Sequence, residues 1–416
     1  MDTLSDIRGL NNLKVKLILT ILVFFPLFLV VTKVNAEDAS LEAAFVRDGY
    51  VWTKIDGQEE QISAATADIP YAPQWSHDGE WLVYVKRMNE ADEIWAYQLK
   101  TKQHIKVYHN GSNPQWSPTE NKLAFQDRGV LNISDLRSFQ NIALGVDDYI
   151  WYPNGKGFIV SSSASLRPDG WTNPVLYKID DLSGLTKAEK FFVIPKELSF
   201  GNITNMSIFS SYFAFSPNEK WLSFIVGPTA SLSMDSNLLC VIGADGTGFE
   251  VIAEVITHVD PPQWAKTKNR LGYIAGGGRI VLGYKNKDLH ITEIETNETI
   301  QLTPSHFADL GFTWVDDESL VVSRTEEAEW SNDPAKRPNS SLYFVRLHDP
   351  KQTKITAPPK NFNDTFPIYL PSKELLIWER REEGLYKGDV WMGKADGSSQ
   401  EKWIENVDSF AVFPEE

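Results

Sequence analysis

Five aspartates recur along the chain, each four or five residues ahead of the residue that marks a new repeat of the sequence. If the strands that follow them start side by side, their carboxylates would form an acidic ring. Such a ring suits a hydrated cation such as calcium, or a basic peptide segment. The alternative is that each carboxylate accepts hydrogen bonds from the backbone of its own turn. The five residues are Asp147, Asp260, Asp309, Asp364 and Asp408.

Four long segments between predicted strands carry charged and aromatic side chains toward one predicted rim. They cover residues 161–174, 227–237, 324–340 and 380–388. Loops of about a dozen residues or more are often functional, and exposed Trp beside charged residues is typical of carbohydrate-stacking sites and protein hot spots. The alternative is that the tryptophans fold back over their own loops. The candidate rim residues are Arg167, Trp171, Arg324, Trp330, Arg381 and Tyr386.

A repeated unit of short strands must position these residues. Residues 72–85 predict a strand ending at Trp75, a tight turn at Asp78-Gly79 and an alternating strand from Trp81. Aromatic anchors recur at the place of Trp75 with spacings of 35 to 64 residues, by subtraction. Four-stranded propeller blades have periods of roughly 40 to 50 residues. The anchors are Trp75, Trp116, Trp151, Phe215, Trp264, Trp314 and Tyr369.

The repeats predict an all-β fold, a single β-propeller of four-stranded blades over residues 37–416. The strands from residue 44 lack an anchor strand ahead of them, and residues 408–414 predict an anchor strand with nothing after it. Strands from both termini would therefore make one composite blade, which closes the ring and removes free sheet edges. Seven complete units plus this one predict eight blades; seven is the alternative, because Tyr369 and Val412 are weak anchors.

The turn after each anchor resembles that of the TolB-type, WD40-like propeller repeat family, whose hallmark is a Trp-Ser-Pro-Asp-Gly-like sequence after an aromatic strand end. The resemblance covers nearly all of the chain beyond residue 36 and implies a propeller. TolB itself has an α/β domain before its propeller, and the few residues between Ala36 and the first predicted strand indicate no counterpart here. The copies are Trp75-Ser76-His77-Asp78-Gly79, Trp116-Ser117-Pro118, Trp151-Tyr152-Pro153-Asn154-Gly155 and Phe215-Ser216-Pro217-Asn218.

Composition excludes several classes of protein. The formal charge of −16 and the pI near 5.0 argue against a nucleic-acid binder, which needs a basic surface. The single cysteine, Cys240, permits no internal disulfide, and its apolar neighbours predict a buried strand residue. A serine hydrolase of the propeller-bearing kind needs a Gly-x-Ser-x-Gly elbow, which the sequence lacks.

Residues 1–36 have the pattern of a signal peptide: a polar start with basic residues, an apolar run over 17–31 and small residues at Val34-Asn35-Ala36. The alternative is an uncleaved N-terminal anchor, which would be the only contact with a membrane. In both cases we expect the rest of the chain outside the cytoplasm, as a secreted, periplasmic or envelope-associated protein.

Together these patterns predict a non-catalytic binding or scaffold protein with a protein or peptide partner. The alternative is a carbohydrate-binding or carbohydrate-active propeller, with lyase- or glycosidase-like chemistry at the mouth of the channel and a glycan as ligand. We expect no catalytic residue, no nucleic-acid partner and no cofactor, with calcium as the one candidate ion.

Overall fold

The computed structural model describes residues 41–64, 68–88, 91–185, 188–229, 236–277 and 283–414. The predicted signal segment at 1–36 and residues 230–235 of the predicted loop 227–237 lie outside these residues. Within the described residues no helix is long and apolar enough to cross a membrane. The secondary structure there consists of 36 strands, numbered in chain order, and two single-turn 3-10 helices at Pro334–Lys336 and Pro371–Lys373.

The strands of the first half of the chain form four-stranded antiparallel sheets, in which successive strands are neighbours. The second sheet contains β4 (Gln74–Trp75), β5 (Trp81–Arg87), β6 (Asp92–Gln98) and β7 (Gln103–His109). The third contains β8 (Ser112–Trp116), β9 (Leu123–Asp127), β10 (Val130–Ser134) and β11 (Phe139–Leu144). The fourth contains β12 (Asp148–Trp151), β13 (Phe158–Ser162), β16 (Val175–Ile179) and β17 (Glu189–Val193). Two small hairpins are added: β14 (Leu166–Arg167) with β15 (Gly170–Trp171), and β18 (Glu197–Phe200) with β19 (Ile203–Met206).

The second half repeats this arrangement. One unit contains β20 (Phe209–Phe215), β21 (Trp221–Gly227), β22 (Asn237–Gly243) and β23 (Glu250–Val255), and the next β24 (Gln263–Trp264), β25 (Arg270–Ala275), β26 (Asp288–Glu293) and β27 (Glu298–Gln301). These two are joined into one sheet by the single residue pair Val255–Ala275. The next sheet contains β28 (Phe307–Asp316), β29 (Ser319–Glu326), β30 (Ser341–Arg346) and β31 (Thr353–Lys354). The last sheet contains β32 (Phe362–Leu370), β33 (Leu375–Glu382), β34 (Gly388–Gly393) and β35 (Glu401–Val407).

The first sheet is composite. It contains β1 (Ala43–Arg47), β2 (Tyr50–Ile55) and β3 (Gln58–Gln61), and its edge position is filled by β36 (Ser409–Val412) from the far end of the chain. β1 and β36 pair from Ala43–Val412 to Val46–Ser409. The prediction of an all-β fold of four-stranded antiparallel sheets is confirmed; the count of eight blades and the closure of the ring stay predictions.

The core lies between neighbouring sheets. The middle strands are buried on both faces, as in β22, where every residue is buried. Each apolar cluster mixes residues of adjacent sheets; one combines Ile274 and Leu289 with Trp314 and Leu320. Burying one such aliphatic side chain contributes about 1.5–3 kcal/mol. Cys240 lies buried in β22, as its sequence context predicts.

The turn that defines the repeat is held by its own side chains. Ser76 Oγ donates to Asp78 Oδ1 at 2.6 Å and accepts from the backbone N–H of Trp81 at 3.0 Å. Gly79 has a φ of 71°, and a Cβ there would meet the ring of Phe413 at 2.8 Å. A side chain would therefore both strain the backbone and clash, which explains the glycine in this turn.

The anchor tryptophans tie consecutive sheets together. Their indole N–H groups donate to backbone carbonyls of the preceding sheet, on the edge strand that carries that sheet's own anchor residue (β36 in the composite sheet), which we call the inner strand. The pairs are Trp75 to Ala411 at 3.3 Å, Trp116 to Gln74 at 3.1 Å, Trp151 to Gln115 at 3.2 Å, Trp264 to Ala214 at 3.1 Å and Trp314 to Gln263 at 3.2 Å. The glutamine before the anchor can donate the other way, from Gln115 Nε2 to the Tyr149 carbonyl at 3.1 Å and from Gln263 Nε2 to the Phe312 carbonyl at 2.9 Å. The inner strands are thus linked edge to edge.

Candidate functional site

Arg324 was expected on the exposed rim, and this expectation is wrong. The side chain is buried, with 2% of the residue exposed, because β29 continues to Glu326 before the loop begins. Strand pairing places Arg324 opposite Asp309 of β28. Its Nε lies 2.5 Å from Asp309 Oδ1 and its Nη2 2.8 Å from Oδ2, so the two side chains form a two-pronged buried ion pair.

The next sheet repeats this ion pair. Asp364 of β32 lies opposite Arg380 of β33. Arg380 donates from Nε to Asp364 Oδ1 at 2.7 Å and from Nη2 to Oδ2 at 2.8 Å, and the aspartate is fully buried. Asp309 and Asp364 are therefore neutralised inside their own sheets and are not open to an added cation.

Trp330 packs against side chains of its own loop, as in the alternative interpretation of the rim, and against Tyr284 of the preceding unit. The guanidinium carbon of Arg337 lies 3.7 Å from the centre of the Trp330 ring, and the Tyr284 ring stacks on Trp330 with a centre-to-centre distance of 6.4 Å. The indole N–H donates to Asn332 Oδ1 at 3.2 Å. These contacts occupy the aromatic surface that a ligand would use.

The remaining rim residues are spread over separate loops. Arg167 and Trp171 belong to the β14–β15 hairpin, with Arg167 exposed and Trp171 half-buried. Tyr386 is 88% exposed in the loop after β33. Of the six rim candidates, Arg381 lines a cavity together with two of the five aspartates.

This cavity, which we call the acidic cavity, has a volume of about 440 Å³ and lies among the inner strands β24, β32 and β36. Two of its walls are Asp260 and Asp408, which come just before β24 and β36. Asp147 lies apart from it and is exposed. The lining residues are Asp260, Pro261, Gln263, Phe366, Pro367, Ile368, Glu379, Arg381, Asp408, Ser409 and Phe410.

Three carboxylates and one guanidinium line the cavity. Arg381 donates from Nε to Glu379 Oε1 at 3.0 Å and from Nη2 to Oε2, so these two charges cancel. Asp408 accepts the backbone N–H of Asp48 at 3.0 Å, and Lys387 Nζ lies 3.9 Å from its other oxygen. Asp260 is thus left, among the carboxyl groups of the cavity, without an ion-pair partner in the described residues.

Asp260 titrates near neutral pH. Burial raises its pKa to about 7, although the hydrogen bond from the Phe312 backbone N–H to Oδ2, 3.0 Å long, acts in the opposite direction. Burial also raises the pKa of Glu379, against the lowering effect of Arg381. A carboxyl group with such a shift in a cavity is a candidate for a functional residue.

Phe366 and Phe410 are the aromatic residues that line the acidic cavity, and Phe366 was not predicted from the sequence. It lies in a β-bulge of β32, where the pairing with β33 shifts between Thr365 and Ile368. Its φ of 51° falls in the left-handed region, where a bulky side chain is an outlier, and 49% of the residue is exposed. Strained backbone that exposes an aromatic ring is typical of functional sites. The Phe-Pro pair inside a strand is the sequence signal that could have indicated the bulge.

The five aspartates do not form a single metal site. Within the described part of the chain, no group of three or more His, Cys, Asp or Glu side chains is arranged to hold a metal ion. The acidic cavity presents two aspartates from the predicted ring together with Glu379, which sequence reasoning missed because a charged residue inside β33 gave no sign of facing a cavity.

We expect Asp260→Asn to change how stability depends on pH. Because the folded pKa is about 7 and an unfolded aspartate has a pKa near 3.9, the folded chain holds an extra proton between these values, and stability falls as pH rises across that window. The variant cannot titrate there and should be more stable than the parent at pH 8 by about 1–3 kcal/mol, since one pKa unit corresponds to about 1.4 kcal/mol. Urea denaturation of both proteins at pH 5 and pH 8 measures the difference in their free energy of unfolding. A difference that is the same at both pH values would contradict the raised pKa of Asp260.

Comparisons with known proteins bear on the fold. No protein-family model matches the chain. The uncharacterized peptidase YuxL of Bacillus subtilis (strain 168) is 28% identical over 188 residues, which cover 36% of this chain and 28% of that protein. A eukaryotic initiation factor structure matches with a TM-score of 0.56 at 12% identity, over 89% of this chain and 87% of that one. A prolyl endopeptidase structure matches with a TM-score of 0.53 at 12% identity, over 83% of this chain and 50% of that one.

The chain spans less than a third of the length of its peptidase relative and half of the prolyl endopeptidase chain. At identities this low, the solved structures indicate a shared fold and not a shared activity. The sheets described above and these similarities together establish the architecture: the described residues of this chain fold as a β-propeller.

Proposed function

We propose that this chain is a non-catalytic binding protein of the TolB-type repeat family that holds a protein or peptide partner in the acidic cavity, outside the cytoplasm. The observation that carries the proposal is the cavity itself, which combines an uncompensated aspartate with an exposed phenylalanine on a strained bulge. The family assignment rests on the Trp–Ser turn, and the location rests on the pattern of residues 1–36.

The position of the cavity favours a macromolecular partner. In each antiparallel sheet, the inner strand begins on the same side on which the strand after it ends. Asp260 comes just before β24, an inner strand, and Arg381 lies near the end of β33, the strand after the inner strand β32. Both residues therefore lie on the side from which the long loops emerge. The exposed Tyr386 belongs to the loop that follows Arg381. A partner seated in the cavity would reach these loops, as in interfaces with a buried aromatic anchor and a polar rim.

The alternative is a carbohydrate-active or carbohydrate-binding propeller. Asp260 and Glu379, two carboxyl groups with raised pKa on one cavity, favour it, because glycoside chemistry uses such pairs. Against it, Arg381 binds both oxygens of Glu379, so that this carboxylate is paired with a cation within the chain and is not presented to a sugar. Binding therefore remains the proposal.

Photo-crosslinking from the cavity tests the proposed function. The chain carrying p-benzoylphenylalanine in place of Phe366 should form an adduct with one partner protein when illuminated in its native cells. The matched control has the same group in place of Phe344, which is also half-buried but lines a different groove on the β28–β31 sheet, and should give no such adduct.

The adduct is identified by mass spectrometry, and the purified partner is then titrated against the unmodified chain. We expect Phe366→Ala to weaken that binding at least tenfold, because an anchor in an interface contributes about 2 kcal/mol or more. Equal labelling from both positions, or unchanged affinity in the Phe366→Ala variant, would contradict a partner site in this cavity.

A further inference from the structure

The repeats provide an internal comparison for the aspartate that precedes each inner strand. In the β28–β31 sheet, Asp309 is matched by Arg324, and in the β32–β35 sheet, Asp364 is matched by Arg380. In both cases the arginine comes four residues after the leucine that pairs with the anchor. Two sheets thus neutralise this carboxylate in the same way, with an arginine from the neighbouring strand.

The β24–β27 unit lacks this arginine. Its anchor Trp264 pairs with Leu271, and the residue four positions on is Ala275. Ala275 pairs with Val255 of β23 rather than with the segment that carries Asp260. Asp260 therefore has the place of Asp309 and Asp364 in the repeat, without their cation.

Nothing else in the described residues supplies that cation, since they form no ion pair with Asp260. Its hydrogen-bond partner is the Phe312 backbone N–H of the next sheet, and its carboxylate lies so close to Gly311 that a Cβ there would meet Oδ2 at 2.4 Å. Arg381, on the wall of the same cavity, is engaged by Glu379. The carboxylate of Asp260 instead lines the acidic cavity.

We propose that the acidic cavity recognises a cationic side chain, a guanidinium or an ammonium group, that the partner inserts against Asp260 in the role that Arg324 and Arg380 have within the chain. This inference rests on the proposed function and adds the chemistry of the ligand. Phe366 and Phe410 supply aromatic surface for the apolar stem and for cation–π contact. Lys and Arg side chains on the surface of a basic peptide segment provide both groups.

Three dipeptides test the inference directly: acetyl-Phe-Arg-amide, acetyl-Phe-Lys-amide and acetyl-Phe-citrulline-amide, titrated by calorimetry or ligand-observed NMR at pH 8. Citrulline has the shape of arginine without its charge. We expect the Arg or the Lys peptide to bind at least tenfold more tightly than the citrulline peptide, because a charge-assisted hydrogen bond adds roughly this factor or more. The order of the Arg and Lys peptides shows which cation the cavity prefers.

The matched variants are Asp260→Asn and Asp147→Asn. Asp147 has the same place in its own repeat but is exposed and away from the cavity. Asp260→Asn should remove the preference for the cationic peptides without lowering the melting temperature. If Asp260 had only a structural role, the substitution would lower the melting temperature instead. Asp147→Asn should leave the peptide preference unchanged. Equal affinity for all three peptides, or tight binding by the Asp260→Asn variant, would overturn the inference. If the Phe366 adduct still forms in that case, the proposed function survives with a neutral ligand.

Discussion

Arg324→Met is expected to lower the free energy of unfolding by about 3–5 kcal/mol, because it leaves the carboxylate of Asp309 buried without its cation. The double variant Arg324→Met with Asp309→Leu should recover most of this loss, since replacing a buried ion pair by apolar groups of similar volume is often neutral or stabilising. Urea denaturation followed by tryptophan fluorescence gives both values. The contrast between the single and double variants isolates the cost of the unpaired charge.

An exposed ion pair serves as the control for this experiment. Lys268 and Glu318 approach to 2.6 Å, with 48% of each side chain exposed. Lys268→Met should therefore change the free energy of unfolding by less than about 1 kcal/mol. If Arg324→Met were as mild as Lys268→Met, water would have to reach Asp309, and the description of this pair as buried would be wrong.

Trp314→Ala is expected to destabilise the fold by about 3–5 kcal/mol, the cost of removing a fully buried large side chain. Trp314 is 1% exposed and packs between the β24–β27 unit and the β28–β31 sheet. Trp314→Phe keeps most of the packing but removes the hydrogen bond to the Gln263 carbonyl, and should cost about 1–2 kcal/mol. Urea denaturation at pH 7 compares the two variants.

Trp330→Ala is the matched control, because Trp330 is half-buried and lies in a loop, outside the apolar clusters between the sheets. We expect it to change the free energy of unfolding by about 1 kcal/mol or less, as is usual for substitutions away from the core. A Trp330→Ala variant as unstable as Trp314→Ala would show that the loop, rather than the anchor, holds this part of the propeller.

The repeat was predictable from the sequence because its signals are local. Trp75, Ser76, Asp78 and Gly79 form a turn from neighbouring residues, so their order alone indicates the strands on either side. The same holds for the composite sheet, which follows from an anchor strand missing at one end and left over at the other. Patterns of this kind need no knowledge of distant contacts.

The site was predictable only in part, because its chemistry depends on strand register. Because Arg324 lies near a long loop, its sequence position predicted an exposed side chain. The pairing of β29 with β28 extends beyond this residue, however, and sets it opposite Asp309. The bulge that exposes Phe366 is likewise a feature of pairing between β32 and β33. Asp260 and Asp408 were identified by their spacing, but whether each aspartate has a cation could not be seen in one repeat alone.

The pairing of β1 with β36 has a consequence for biosynthesis. Ala43 and Val412 are 369 residues apart, by subtraction, yet they are partners in one sheet, and the indole of Trp75 binds the carbonyl of Ala411. A nascent chain emerging from the ribosome or from a secretion channel cannot complete its first sheet until residues 409–412 are released. Contacts of such long range are formed late and slowly. The edge of β1 therefore stays uncovered throughout synthesis, and chaperone protection would be needed at that edge above all.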